Sequence, residues 1–194
     1  MNKDYTKYSD RRLIELLKSD KKTSDQAFIV LHDRYSKKVY TYIKCMCRDG
    51  DLTNDLYQET FIRMFKYADP DYDSFNLNSF LITTARNLCF NSFREKKRMV
   101  SLDEMKNCIP DMINNENDDA DKNELFELIL MAVEMLDDPH KEAFVLRKFQ
   151  NLSLKEIAGI CNISVEGVKK RITRAKLKIT KILQPYIEDM TRNG

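Results

Sequence analysis

Ser153 to Lys176 reads SLKEIAGICNISVEGVKKRITRAK, and this stretch decides the fold. Ser153 followed by Glu156 is an S-x-x-E capping box, which satisfies the free N–H groups that open a helix. Ile157 and Ala158 are expected to face inward, the small Ala158 admitting a close helix crossing. Asn162 falls where the chain must turn sharply, and Asn tolerates the left-handed conformation better than most side chains. Ile163 is expected to plug the turn and Ser164 to cap the next helix. There Val168, Ile172 and Ala175 recur at helical spacing as a core stripe. The opposite face presents Lys169, Lys170, Arg171, Arg174 and Lys176. Two short helices joined by a tight turn, the second loaded with base, predict a helix-turn-helix suited to the DNA major groove.

The remainder of the chain is consistent with an all-α protein. Its 194 residues allow one or two domains. Only four Gly and four Pro occur, with no sustained Val/Ile/Thr alternation. With 42% hydrophobic and 33% charged residues, the composition is that of a globular chain. The net charge of +2 hides a segregation: residues 164–181 are basic apart from Glu166, and residues 99–124 are acidic apart from Lys106 and Lys122. The cysteines Cys45, Cys47, Cys89, Cys108 and Cys161 form no C-x-x-C pair, and are read as reduced thiols. Neither His32 nor His140 lies near a cysteine pair, so no metal or other cofactor is expected. The N-terminus MNKDYTKYSD lacks an apolar signal core, and no stretch approaches the ~18 apolar residues of a membrane span. A cytoplasmic protein without membrane insertion is expected.

Residues 9–98 read as a first helical domain. Ser9 or Asp10 is expected to cap a short helix through Lys18. Ser24 is expected to open a longer one, in which Phe28, Leu31, Tyr35, Val39, Tyr42 and Met46 recur at steps of three or four. A third helix is predicted from about Thr53 to Ala68, stopped by Asp69-Pro70, with Tyr57, Phe61, Met64, Phe65 and Ala68 on its apolar side. A fourth runs from about Asn78 to Lys97, with Leu81, Ala85, Leu88 and Ser92 inward. Residues 99–124 are polar and acidic, and read as a mobile linker. The second domain, residues 125–187, opens with helices at 125–136 and 139–149 before the helix-turn-helix. Pro139 suits a first helical turn.

The segment LDDPHKEAFVLRKFQNLSLKEIAGICNISVEGVKKRITRAK resembles region 4 of bacterial sigma-70-type sigma factors. NDLYQETFIRMFKYADPDYDSFNLNSFLITTARNLCFNSFREKKR resembles their region 2. Two such segments with only a short linker between them resemble the extracytoplasmic-function (ECF) subfamily. The resemblance implies core RNA polymerase and promoter DNA as partners, with an anti-sigma factor as a further candidate, and a specificity subunit rather than an enzyme. It places Asp55, Gln58 and Glu59 in the polar signature that docks on polymerase. Asp55 and Glu59 are four apart and share a helical face. Two acids at that spacing also fit a carboxylate metal site or acid–base pair, but no His partner and no second acidic helix accompany them.

The same resemblance implies that the loop from Asp69 and the following helix melt and read the minus-10 element. Polar edges and apolar walls are what an extruded base requires. Asn76, Asn78, Thr83, Asn87, Asn91 and Arg94 are the candidates, alternating with Phe75, Phe80 and Phe90. Arg94, Lys96, Lys97 and Arg98 would hold the backbone. Phe80 stands where the family commonly has Trp and Asn91 where it often has Asp, departures that bear on the preferred bases. For the minus-35 element, the candidates are Ser164, Glu166, Gly167, Lys169, Lys170, Arg171 and Arg174. Phosphate and base-reading roles both remain open among them, with the phosphate role favoured for Arg171 and base reading for Lys169 or Lys170.

Promoter elements one and a half helical turns apart lie roughly 55 Å from each other. A flexible linker of this length has an r.m.s. span of about 28 Å and a maximum of about 86 Å. It bridges the elements only when drawn out and held by a third body. Two other classes remain: a stand-alone regulator whose first domain senses a ligand or dimerises, and a DNA enzyme with a helix-turn-helix tail. The first needs a pocket, and the second a nucleophile with clustered arginines or a carboxylate triad. The sequence displays neither. Binding to promoter DNA without polymerase separates a regulator from a sigma factor.

Overall fold

A computed structural model describes residues 4–47, 49–68, 76–99 and 128–192. Every element among them is helical: a 3-10 turn at Tyr5–Lys7, α1 (Asp10–Leu16), α2 (Lys21–Met46), α3 (Gly50–Tyr67), α4 (Leu77–Met99), α5 (128–134), α6 (Asp138–Lys148), α7 (Leu154–Cys161) and α8 (Val165–Arg192). The chain divides into two compact units, Met1–Ile43 with Asp49–Glu104 and Lys44–Arg48 with Met105–Gly194. α4 runs through Met99, where the linker was expected to begin; the rest of that linker, 100–124 with Cys108, and the loop residues 69–75 with Phe75 lie outside the described residues.

In the first unit, Ser9 caps α1 through its side chain, which accepts from the Arg12 N–H. Asp10, the alternative cap, is engaged elsewhere. Its carboxylate accepts from Arg34 Nη1 at 2.7 Å and from the Tyr35 hydroxyl, while Arg34 Nη2 also reaches the carbonyls of Thr6 and Tyr8. This pins α1 and the N-terminal turn to α2. The start of α2 departs from expectation. Asp20 Oδ1 accepts from the Thr23 N–H, so the helix opens at Lys21 rather than Ser24. An anionic cap complements the helix dipole. Ser24 is instead buried and donates to the Leu17 carbonyl at 2.9 Å, meeting an acceptor left open at the end of α1.

Asp49 caps α3 and starts it at Gly50, one turn earlier than expected. Its inner face is Thr53, Leu56, Thr60, Phe61 and Met64, with Thr53 and Thr60 returning their hydroxyls to the carbonyls four residues back. Tyr57 and Phe61 meet Phe28, His32 and Tyr40 of α2 edge-on or tilted, and the Tyr57 hydroxyl lies 2.6 Å from His32 Nε2. Phe65, expected on this inner side, meets the Phe28 ring of α2 edge-on but remains 52% exposed. It stands about 80° round the helix from Asp55, on the outward face, at 100° per residue. Against α3 packs α4, which buries Leu77, Leu81, Ile82, Ala85, Leu88 and Cys89. Each buried Leu or Ile among them contributes about 1.5–3 kcal/mol. Ser92, expected inward, is half-buried at the margin of this stripe.

In the second unit, Pro139 occupies the first turn of α6. The core combines Ala132, Val133, Leu136, Phe144, Val145 and Leu146 with Ile157 and the α8 stripe Val168, Ile172, Ala175, Ile179 and Leu183. The capping box is complete, with Ser153 Oγ accepting from the Glu156 N–H and Glu156 Oε2 accepting from the Ser153 N–H at 2.8 Å. Arg147 Nη1 donates to the Leu152 carbonyl at 2.7 Å and braces the α6–α7 turn, where Asn151 has φ 55°. Ala158 and Ile163 are half-buried rather than fully inward, since they edge the α7–α8 turn. Asn162 is left-handed at φ 52°, ψ 50°. Asn162→Ala is therefore expected to cost about 1–2 kcal/mol and to lower the unfolding midpoint of this unit by several degrees. Asn162→Gly should hold the parent value. Equal melting of all three proteins would refute strain at this turn.

Candidate nucleic-acid and protein interfaces

Three outward helix faces carry the candidate residues. On α3, Asp55 and Gln58 are exposed, and no ion pair engages Asp55 among the described residues. Glu59 is half-buried because Arg63 Nε donates to its Oε1 at 2.7 Å, an i,i+4 pair that fixes the carboxylate's direction. Ile62 and Phe65, 46% and 52% exposed, continue the Gln58 face at steps of four and three. This polar face thus has an apolar extension. The exposure of Ile62 and Phe65 was missed from the sequence, because helical period alone cannot tell a wide core stripe from an outward one.

On α4, Asn76 caps the helix, its Oδ1 accepting from the Ser79 N–H at 3.0 Å. Thr83, Asn87, Asn91 and Arg94 then fall on one face at steps of four, four and three, and the last three are exposed. Arg94 Nη2 donates weakly to Asn91 Oδ1 at 3.4 Å. Phe90 shares this face, is 40% exposed, and carries the Arg86 guanidinium 4.5 Å above its ring. Phe80 is half-buried. Asn78 does not join them. At 100° per residue it stands about 140° from Thr83, and its Oδ1 is buried without a hydrogen-bond partner. The side chains of Lys96, Lys97 and Arg98 lie outside the described residues.

On α8, Ser164 Oγ accepts from the Gly167 N–H at 3.0 Å. Gly167 is half-buried, and a Cβ there would lie 3.3 Å from that same Oγ and 3.7 Å from Ile163 Cδ1. Glycine at 167 thus lets the turn seat against the helix. Glu166 and Lys169 are exposed and pair at 3.6 Å. Lys170, Arg174 and Lys176 are exposed without ion-pair partners among the described residues, while Arg171 is half-buried beside the core stripe. Lys178 is held differently, its ammonium donating to Asp137, which His140 also approaches.

The Lys178 hydrogen bond, then that of His140, holds the Asp137 carboxyl down to about 2. A folded value below the unfolded ~3.9 stabilises above pH 4, and that contribution is lost as pH falls through about 2. Because both partners are half exposed, screening limits it to below ~1 kcal/mol. Asp137→Asn should flatten the acid limb of thermal stability between pH 4 and 2. An unchanged limb would assign that limb to other carboxylates.

A helix-turn-helix whose second helix is basic, and a separate helical unit with an exposed polar–apolar stripe, are the features a DNA-binding class of protein carries. Comparison with known proteins is specific. Residues 31–99 match the family described as Sigma-70 region 2, and residues 126–179 match Sigma-70, region 4. The chain is 30% identical over 182 residues to the ECF RNA polymerase sigma factor SigW of Bacillus subtilis, covering 87% of this chain and 95% of SigW. It is 29% identical over 189 residues to the ECF RNA polymerase sigma-E factor of Salmonella typhimurium, covering 92% and 96%. The fold is that of the sigma factor RpoE, solved with the anti-sigma factor NepR from Bartonella quintana, with a TM-score of 0.64, 18% identity, and 79% and 96% of the two chains covered. CnrH, solved with the cytosolic domain of CnrY, gives 0.62 and 21%, with 91% and 97% covered. The chain belongs to the extracytoplasmic-function RNA polymerase sigma factors.

Proposed function

We propose that this sigma factor binds core RNA polymerase through the α3 face of Asp55, Gln58 and Glu59, with Ile62 and Phe65 as its apolar part. The faces of α4 and α8 then direct polymerase to promoters. Thr83, Asn87, Asn91 and Arg94 line the minus-10 surface with Phe90 as a stacking ring, and Asn76 and Asn78 stand at its loop end. Asn78 Oδ1 is buried there, with no hydrogen-bond partner among the described residues. Ser164, Glu166, Gly167, Lys169, Lys170, Arg171 and Arg174 form the minus-35 surface, Ser164 and Gly167 by shaping the turn. The observation that carries the reading is the basic face of α8, where Lys170, Arg174 and Lys176 have no ion-pair partner among the described residues, in a chain whose residues 31–99 match Sigma-70 region 2.

The factor itself catalyses no step; it selects the start site for an enzyme in the cytoplasm. No helix among the described residues is long and apolar enough to cross a membrane. Exposed polymerase- and DNA-binding faces invite a protein that covers them, and RpoE of the same fold was solved with the anti-sigma factor NepR. An anti-sigma factor is accordingly part of the proposal. Run-off transcription with core polymerase on a promoter library tests the whole reading. Promoter-specific transcripts should require this chain, and promoter binding should strengthen at least tenfold on adding core enzyme. Tight, specific binding by the chain alone would identify a stand-alone regulator instead.

A further inference from the structure

The outward face of α3 changes sign along its length. Asp51, Asp55 and Glu59 recur at steps of four, and Arg63 and Lys66 follow at steps of four and three. At 100° per residue all of them fall within an arc of about 120°, over about 22 Å of helix axis. Asp51, Asp55 and Lys66 are exposed and have no ion-pair partner among the described residues. The Glu59 and Arg63 side chains are 41% and 40% exposed. Acids thus hold the first half of the face and bases the second.

The helix dipole accounts for the two ends of this order, Asp51 in the first turn and Lys66 in the last. It does not account for the middle, because its influence fades within a turn of each end. There Arg63 Nε donates to Glu59 Oε1 at 2.7 Å. That one bond leaves Glu59 Oε2 and both Arg63 Nη groups with no further hydrogen bond among the described residues. The pair therefore keeps an acceptor and two donors to offer outward. Around the helix, Phe65 lies about 80° to one side of Asp55 and Arg63 about 80° to the other. The acids are framed by an apolar edge and a basic one.

We infer that Arg63 and Lys66 determine the direction in which α3 docks, against a segment of core RNA polymerase that carries bases opposite Asp51, Asp55 and Glu59 and acids opposite Arg63 and Lys66. The inference rests on the reading of α3 as the docking helix and adds the charge order of its partner. Complementarity of this kind fixes register, because turning the partner end for end sets like charges against each other along the whole face. A uniformly basic partner is refused for the same reason: it would gain at Asp55 and lose at Lys66. The apolar edge of Ile62 and Phe65 has no such polarity, so it adds affinity without choosing a direction.

Removing the two bases turns the inference into a question of sign. Binding of the full chain to core RNA polymerase is measured by fluorescence anisotropy, beside thermal melting. Arg63→Ala combined with Lys66→Ala should weaken binding about tenfold at ~0.1 M salt. Lys66→Glu alone, at a residue with no ion pair to disturb, should weaken it about as much. The exchange Arg63→Lys/Lys66→Arg keeps both charges and should bind within about threefold of the parent. Each loss should shrink at ~0.5 M salt, where the Debye length falls to about 4 Å. Unchanged or tighter binding of the double alanine variant, the result a uniformly basic partner requires, would overturn the inference. So would parental binding of Lys66→Glu, or a loss that salt does not diminish. Failure of the docking reading shows elsewhere: retained binding by Asp55→Ala/Glu59→Ala removes α3 as the docking helix, and this inference with it.

Discussion

Asp55→Ala combined with Glu59→Ala is expected to abolish co-purification with core RNA polymerase while the protein melts as the parent does. The two halves of this result have separate causes. Asp55 is exposed and without an ion pair among the described residues, so its loss leaves nothing buried and unpaired. Glu59 loses its pair with Arg63, an i,i+4 interaction worth only about 0.3–0.5 kcal/mol at a surface. At an interface, truncating one member of a desolvated charge pair costs 2–5 kcal/mol. Two such losses lower affinity by at least about a thousandfold. Phe65→Ala supplies an independent arm: the ring is half exposed but meets Phe28 edge-on, so stability should fall by only about 1 kcal/mol while polymerase affinity falls further. Co-purification measured beside thermal melting checks both. Retained association of the double variant would remove α3 as the docking helix.

Lys170→Ala combined with Arg174→Ala should reduce minus-35-dependent transcription at least tenfold. The two side chains are four apart on one outward face and within three turns of the Ser164 cap. If both contact phosphates, binding weakens on every promoter and the salt slope drops by about two units. If one reads a base, it costs about 1–3 kcal/mol at a single position and relaxes preference there. Arg171→Ala should show a smaller DNA effect with some loss of stability, because its stem lies against the core stripe. Single-base promoter substitutions transcribed at two salt concentrations distinguish these roles. Parental activity of both Lys170→Ala/Arg174→Ala and Arg171→Ala on every template would show that the second unit does not use this face.

Much of the fold is legible along the chain because its signals are local. The capping box at Ser153, the left-handed Asn162, the Val168–Ile172–Ala175 stripe and the Pro139 start each depend on residues within a turn or two. All are found in place. The same locality explains the errors. Ser24 is a good cap in isolation, but Asp20 is a stronger one four residues earlier, and the Leu17 carbonyl claims the Ser24 hydroxyl. Phe65 has the period of the α3 core and meets Phe28 edge-on, yet it stands at the margin of the buried stripe and stays half exposed.

The sequence by itself determined the helical class, the helix-turn-helix and its charge asymmetry, since period, caps and turn residues act over four residues or fewer. The tertiary structure decided what those rules cannot reach. It paired Asp137 with Lys178 and Asp10 with Arg34 across long stretches of chain, and it gave Ile62 and Phe65 to the surface. It also turned Asn78 inward away from Thr83, Asn87 and Asn91, and half-buried Arg171 while leaving Lys170 and Arg174 exposed. Which flank of an amphipathic helix is covered depends on where its neighbours pack, and only the assembled core supplies those neighbours.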